Sequence, residues 1–223
     1  MKPLSFHEVV KLRHSCRNFL SEVVPKETII SVLEDAQLSP SNCNTQPWVV
    51  HIVSGEEQKK LSKKLITAYE NDKFSLDFTF DTNHFEGLYK ERQFAQGKFY
   101  YESLGIARED KLGRDEASLK NCNFYNAPHV ALLFMPSVGD NIRVAADIGM
   151  YAQTFLLSLT AHGLAGVPQT ILGFFSDTIR AHLNIPNEFK MLFGISFGFE
   201  DQEAVENKLR MSRGVLTENV TFH

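Results

Sequence analysis

Three short segments hold residues whose types and spacing could do chemistry. Arg13-His14-Ser15-Cys16-Arg17 places a hydroxyl, on what reads as a bend, between two guanidinium groups. Arginine offers paired donors to phosphate oxygens, so this combination suits an organic phosphate. Two cations at the end of a helix also complement its C-terminal dipole, and that structural reading stays open. The run Ser39-Pro40-Ser41-Asn42-Cys43-Asn44-Thr45-Gln46-Pro47-Trp48 is rich in small polar residues. Asn44 and Gln46 each carry a donor and an acceptor that could match the edge of a heterocycle. The same composition also makes an ordinary helix-to-strand loop. Arg210-Met211-Ser212-Arg213 again sets two cations around a hydroxyl, with a solvated tail as the alternative.

Other motifs fall away on context. Gly194-Ile195-Ser196-Phe197-Gly198 matches the GxSxG pattern of a hydrolase nucleophile elbow. That elbow needs a strand, a sharp turn, a helix, and an acid and a histidine downstream. Here Glu200 and Asp201 follow, no helical pattern begins, and the only later histidine is His223. A strand whose glycines permit close packing is the better reading. Neither GxGxxG nor GxxxxGK[ST] occurs, so no nucleotide-binding fingerprint is available. The histidines show no HxxxH or HExxH spacing, and no metal site is expected.

The elements that must position these segments are legible in part. Ser5 suits an N-cap, and Phe6, Val9 and Val10 fall on one helical face before Arg13. Pro25 suits a helix start, followed by Ile29, Val32, Leu33 and Ala36 at helical spacing, and the helix must stop by Ser39 because of Pro40. Trp48–Val53 reads as a strand closed by Ser54–Gly55, then Glu56–Tyr69 as a helix with Leu61, Leu65 and Ala68 on one side. Residues 71–120 mix aromatics with charges and have no single period; one or two helices covered by a loop or lid are expected. His129–Met135 reads as a strand, Asn141–His162 as an apolar, central and intersubunit helix ended by Gly163. Ser176 is expected to cap a helix over Asp177–Leu183, Met191–Phe199 to form a strand, and Val215–Phe222 to alternate weakly. Strands separated by helices without a linker predict one domain over residues 1–223.

Bulk properties remove whole classes. The 223 residues are 43% hydrophobic and 22% charged, as in ordinary globular chains, and the formal charge is −4. That charge gives no general attraction to nucleic acid or anionic lipid. Cys16, Cys43 and Cys122 form no CxxC pair, which fits a reducing cytoplasm better than a disulfide framework. Residues 1–10 carry His7 and Glu8 where a secretory leader would need an apolar run, and nothing approaches the ~20 apolar residues of a membrane span.

Taken in order, the three segments resemble the nitroreductase family. Arg13-His14-Ser15-x-Arg17 is similar to its Arg-x-Ser-x-Arg/Lys signature, and Pro40-Ser41-Asn42-x-Asn44-x-Gln46-Pro47-Trp48 to its Pro-Ser-x-x-Asn-x-Gln-Pro-Trp loop. The run from Gly163-Leu164 through Pro168-Gln169 and Pro186 to Lys190–Gly198 resembles a bacterial branch that includes nitrobenzoate-type reductases. The resemblance implies an α+β fold, with a mostly antiparallel sheet flanked by helices, in an intertwined homodimer. It implies FMN at the dimer interface, reduced by NADPH or NADH. By the same carry-over, Arg13, Ser15 and Arg213, with Arg210, would hold the ribityl phosphate, His14 would be among the cofactor-binding residues, and Arg17 would lie near the flavin's pyrimidine edge. Pro40, Ser41, Asn42, Asn44 and Gln46 would come from the partner subunit. Pro168 and Gln169 would line the isoalloxazine and offer backbone donors near N5. Many relatives place a lysine two residues before the last arginine, where this chain has Met211.

The function so implied is a two-electron transfer from a nicotinamide, through flavin N5, to a nitroaromatic, quinone or similar small oxidised substrate. One site serving both partners predicts ping-pong kinetics. A flavin-binding sensor or carrier without turnover is the competing reading. So are other flavin chemistries in related branches: dehalogenation, azoline oxidation and flavin cleavage.

Overall fold

A computed structural model describes residues 3–223. Met1 and Lys2, part of the N-terminal stretch and of the 1–223 domain read above, lie outside them. Helix α1 (Phe6–Leu12) starts where Ser5 can cap it: the Ser5 hydroxyl accepts from the Glu8 N–H at 3.3 Å. The Glu8 carboxylate accepts in return from the Ser5 N–H at 2.7 Å. Of the expected apolar face only Val9 is buried, and Phe6 is 76% exposed. Helix α2 (Lys26–Gln37) follows Pro25 and buries Ile29, Val32 and Ala36.

Then come β1 (Val49–Ser54), α3 (Gly55–Glu70), α4 (Gly87–Ser103), α5 (Lys111–Leu119), β2 (His129–Pro136), α6 (Ile142–Ala161), β3 (Ala165–Gln169), α7 (Ser176–Leu183) and β4 (Phe189–Gly198). The strands form a sheet in the order β1-β2-β4-β3, every pair antiparallel, with a register shift between Leu133 and Phe134. Val130, Leu132 and Phe134 of β2 pack with Leu61 and Leu65 of α3 and Ile179 of α7. Ala131, Leu133 and Met135 face the other way, onto Val32 of α2 and Phe155 of α6. A strand covered on both faces must be apolar at every position, so β2 reads as one unbroken run. The architecture is the expected α+β one.

Gly163, at φ 74°, ends α6 in a backbone conformation that side chains resist. Gly194 is needed for closeness: a Cβ there would stand 2.6 Å from Leu172 Cδ1 and 3.2 Å from Leu132 Cδ2. The GxSxG run is therefore a packed strand. Ser196 is fully buried, donating to Gln169 Oε1, and cannot serve as an exposed nucleophile.

Three features differ from the sequence reading, while residues 71–120 hold two α-helices, within the one or two expected. Strand β3 was not foreseen, because Gly166 and Pro168 interrupt its pattern; as an edge strand it tolerates a proline that donates nothing. Ser176 does not cap α7: it is the first helical residue, and its hydroxyl donates to the Ser75 carbonyl. Residues 215–222 form no strand; they are exposed, with a short 3-10 turn at Leu216–Glu218, and no sheet edge pairs with them. Helix α4 had no legible period because only Tyr100 of its 17 residues is buried. The segment leading into α4 is pinned by Asp77, whose carboxylate accepts from Arg180 at 2.5 and 3.1 Å and from the Met191 N–H at 2.8 Å.

Candidate functional site

The two arginine-bearing segments lie almost two hundred residues apart in sequence, and one side chain joins them. Asn207, 2% exposed, accepts from the Arg17 N–H at 2.7 Å through Oδ1. Its Nδ2 donates to the Asn18 carbonyl at 2.7 Å and the Asp201 carbonyl at 2.9 Å. Beside it, the Leu20 N–H donates to the Phe199 carbonyl at 2.9 Å, tying the chain after α1 to the end of β4. Ser15 bridges Gly166 in parallel, which sets the same segment on β3. Each bond satisfies a backbone group that would otherwise be buried and unpaired. Sequence reasoning passed over Asn207; a lone asparagine in a polar stretch has no signal apart from its fold.

These latches close a cavity of about 860 Å³, within the range of ligand clefts. Arg13, His14, Ser15, Arg17, Arg210 and Arg213 all line it. Lys11 adds a fifth Lys or Arg, while Gln96, Phe99 and Tyr100 of α4 form an opposite wall that the sequence did not reveal. Among the described residues no carboxylate lines the cavity, in a chain whose net charge is negative. Among the described residues, none of the five cations forms an ion pair. Burial lowers the Arg13 pKa, and the neighbouring Arg213 charge lowers it further, the signature of like charges held together. Arginine stays protonated regardless, so the cavity carries a concentration of positive charge that suits an anion.

The remaining side chains set its shape. His14 does not point freely into the cavity: its Nε2 lies 2.8 Å from the Glu200 carboxylate and its Nδ1 2.9 Å from the Leu12 carbonyl. Arg17 lies 5.1 Å from the Tyr100 ring centroid and donates to the Ser15 carbonyl at 3.4 Å. The buried Tyr100 hydroxyl has no hydrogen-bond partner, and burial pushes its pKa well up, so it stays neutral. Arg210 and Arg213 donate to carbonyls of their own tail, at 2.5 Å to Asn207 and 2.9 Å to Met211.

The second expected segment lies elsewhere. Pro40, Ser41, Asn42, Asn44 and Gln46 line none of this cavity. Their loop is built for rigidity: the Ser41 hydroxyl accepts from the Gln46 N–H at 2.9 Å, and Asp147 of α6 accepts from the Asn42 N–H at 3.0 Å. Gln46 Nε2 donates to Asn44 Oδ1 at 3.1 Å, and Asn44 and Gln46 both sit at positive φ. Apart from Ser41, which is half-buried, these residues are exposed. Pro168 is exposed but outside the cavity. The Gln169 side chain is spent internally, donating to the Asn121 carbonyl at 3.1 Å and accepting from Ser196, so only its backbone could face a ligand.

The donor set fits an organic phosphate carrying a flat heterocycle: guanidinium groups for the anion, and an arginine stacked on an aromatic ring beside it. It offers no nucleophile and base within reach of each other, and among the described residues no three His, Cys, Asp or Glu converge on a metal position. Among the described residues no helix is long and apolar enough to cross a membrane.

The comparisons agree with this chemistry. The sequence model described as the Nitroreductase family matches residues 10–199. The chain is 42% identical over 214 residues to nitroreductase NfnB of Mycolicibacterium smegmatis, covering 96% of this chain and 91% of that one. It is 32% identical to a 4-nitrobenzoate reductase of Pseudomonas putida, covering 93% and 91%. Among solved structures, the FMN-dependent nitroreductase NfnB from Mycobacterium smegmatis in complex with NADPH superposes with a TM-score of 0.94 at 40% identity, over 97% of each chain.

Proposed function

The chain belongs to the nitroreductase family, and from that premise we propose that it works as a homodimer with the nitroreductase site residues described above. It is an FMN- and NAD(P)H-dependent oxidoreductase that reduces nitroaromatic compounds. The observation that carries the cofactor assignment is the five-cation cavity without a carboxylate, a charge pattern with no structural use and a direct one in holding a phosphate.

When bound, FMN supplies hydride acceptance and donation at N5, which carries two electrons from the nicotinamide to the substrate. The protein's part is to bind, orient and stabilise charge. Arg13, Ser15, Arg210 and Arg213 would hold the phosphate, with Lys11 adding to the field. Arg17, fixed by Asn207 at its backbone and Tyr100 at its guanidinium, would lie near the pyrimidine edge, where its charge would stabilise the negative charge of the reduced flavin. His14, tied to Glu200, sets the path of the Arg13–Arg17 bend and is a positioning residue. Pro168 and the Gln169 backbone, which lie outside the cationic cavity itself, would line the ring system.

Dimerisation is supported by apolar surface left open on the monomer: Phe6 at 76%, Leu38 at 84% and Phe222 at 86% exposed. It is supported equally by the rigid loop of Pro40, Ser41, Asn42, Asn44 and Gln46, which lines none of its own cavity and in a dimer would be free to serve the partner subunit's. Residues 1–223 then act as one FMN-binding domain, with residues 71–120 as its variable cover. Free thiols at Cys16, Cys43 and Cys122 suit a cytoplasmic setting.

The test is the absorbance spectrum of purified protein, followed by anaerobic addition of NADPH and NADH. A flavin spectrum that bleaches with reductant and returns on adding a nitroaromatic is expected. Protein that neither retains nor takes up FMN overturns the reading, and bound flavin that no nicotinamide bleaches favours a binding protein without turnover.

A further inference from the structure

A second cavity, of about 1000 Å³, opens between α4 and α5 and shares Gln96 and Tyr100 with the cationic one. Phe94, Tyr101 and Ile106 give it an apolar wall, and Arg108 and Arg114 enter that wall. Lys98 is offset by Glu102, 3.7 Å away in the same wall. Arg114 has no such partner among the described residues. Its guanidinium lies 4.1 Å from the Tyr101 ring centroid, and its Nε is buried without a hydrogen bond. Orphaned buried donors are uncommon because they cost free energy. A guanidinium held over a ring face makes no hydrogen bonds to it, so its donors stay available to an anion in the cavity. Tyr101 in turn packs on Tyr100 with centroids 5.4 Å apart, and Tyr100 carries Arg17 at 5.1 Å. The series Arg17, Tyr100, Tyr101, Arg114 thus runs from one cavity to the other.

We propose that the α4–α5 cavity binds the ring of an aromatic ligand that carries an anionic group, with Arg114 as its counter-charge. The proposal deepens the function above and rests on it. The ligand is an aryl carboxylate among the acceptor substrates or the phosphorylated adenosine end of the reductant, and the two share the same recognition chemistry. Apolar walls take the ring, and Arg114 pairs with the anion.

Calorimetric titration of the FMN-loaded protein with benzoate against benzamide, and with adenosine 2′-phosphate against adenosine, tests it. At least one charged probe should bind about tenfold or more tighter than its neutral counterpart, the effect of one charge-assisted hydrogen bond. That preference should vanish in Arg114→Gln and return in part in Arg114→Lys. In turnover, Arg114→Gln should lower the ratio of kcat/KM for 4-nitrobenzoate over methyl 4-nitrobenzoate through KM if the acceptor is the source. It should raise the KM for NADPH relative to NADH if the reductant is. An unchanged flavin spectrum in the variants shows that the fold survives. No preference for either charged probe, or a preference that persists in Arg114→Gln, overturns the proposal. Protein without FMN that still prefers an anionic probe would leave this pocket standing and sink the function instead; FMN without the preference does the reverse.

Discussion

Arg213→Ala should act in opposite directions with and without FMN. Arg213 shares the cavity with Arg13, whose pKa is lowered by burial and by the Arg213 charge, so without a phosphate the two repel. Removing Arg213 relieves that repulsion and costs only its exposed bonds to the Met211 and Ser212 carbonyls, at 2.9 and 3.3 Å. The FMN-free melting temperature is then unchanged or higher. With FMN, losing one charge-assisted contact costs about 1.5–3 kcal/mol, which weakens binding about 10- to 150-fold. At FMN about 100 times the wild-type Kd, ligand stabilisation of about 2.7 kcal/mol falls to about 0.9 kcal/mol for a weakening of about 30-fold. For a chain this size that lowers the melting temperature of the loaded form by about 4–7 °C. Scanning fluorimetry with and without FMN reads both signs, and added salt should shrink the wild-type FMN shift. If the variant loses the same number of degrees in both conditions, Arg213 is structural and the cradle argument fails.

Arg17→Ala should slow flavin reduction by NADPH about tenfold or more while most FMN is retained; unchanged stopped-flow rates would refute its charge-stabilising role. His129 is 2% exposed, its Nε2 accepts from the Val24 N–H at 3.0 Å, and burial lowers its pKa. Its unfolded form therefore binds protons first, so this stability is full above about pH 6.5 and is lost as pH falls below it, by up to about 1.4 kcal/mol per unit. Urea midpoints at pH 7 and pH 5 should converge in His129→Gln, whose amide can keep the bond without titrating. Asp77→Ala strands Arg180, whose side chain is 7% exposed, and should cost about 3 kcal/mol, the low end for a broken buried pair because Asp177 still faces it at 2.6 Å. A loss under about 1 kcal/mol in chemical denaturation would contradict that reasoning.

Local rules carried the sequence reading furthest. A cap at Ser5, helical spacing from Ile29 to Ala36 and the unbroken apolar run at His129–Met135 each depend on neighbours within a turn or a strand, and each element formed where expected. The arginine segments were likewise visible, because a hydroxyl between two guanidinium groups is an uncommon arrangement in one short stretch. Their meeting was not visible. It depends on Asn207, whose three hydrogen bonds join residues 17, 18 and 201, and on the pairing of the chain after α1 with the end of β4.

The aromatic wall of the site escaped the sequence for a related reason. Periodicity reports only faces buried against the chain's own core, and α4 buries little besides Tyr100 while its other face is turned to the two cavities. Strand β3 was hidden in the same way, since an edge position relaxes the pattern that a central strand must obey. What the residue order determined alone was therefore the set of local elements and the charges available for binding. Which charges share one unpaired space, and which aromatic rings stand beside them, was decided by long-range hydrogen bonds and packing, whose partners are distant in the chain and leave no mark on local spacing.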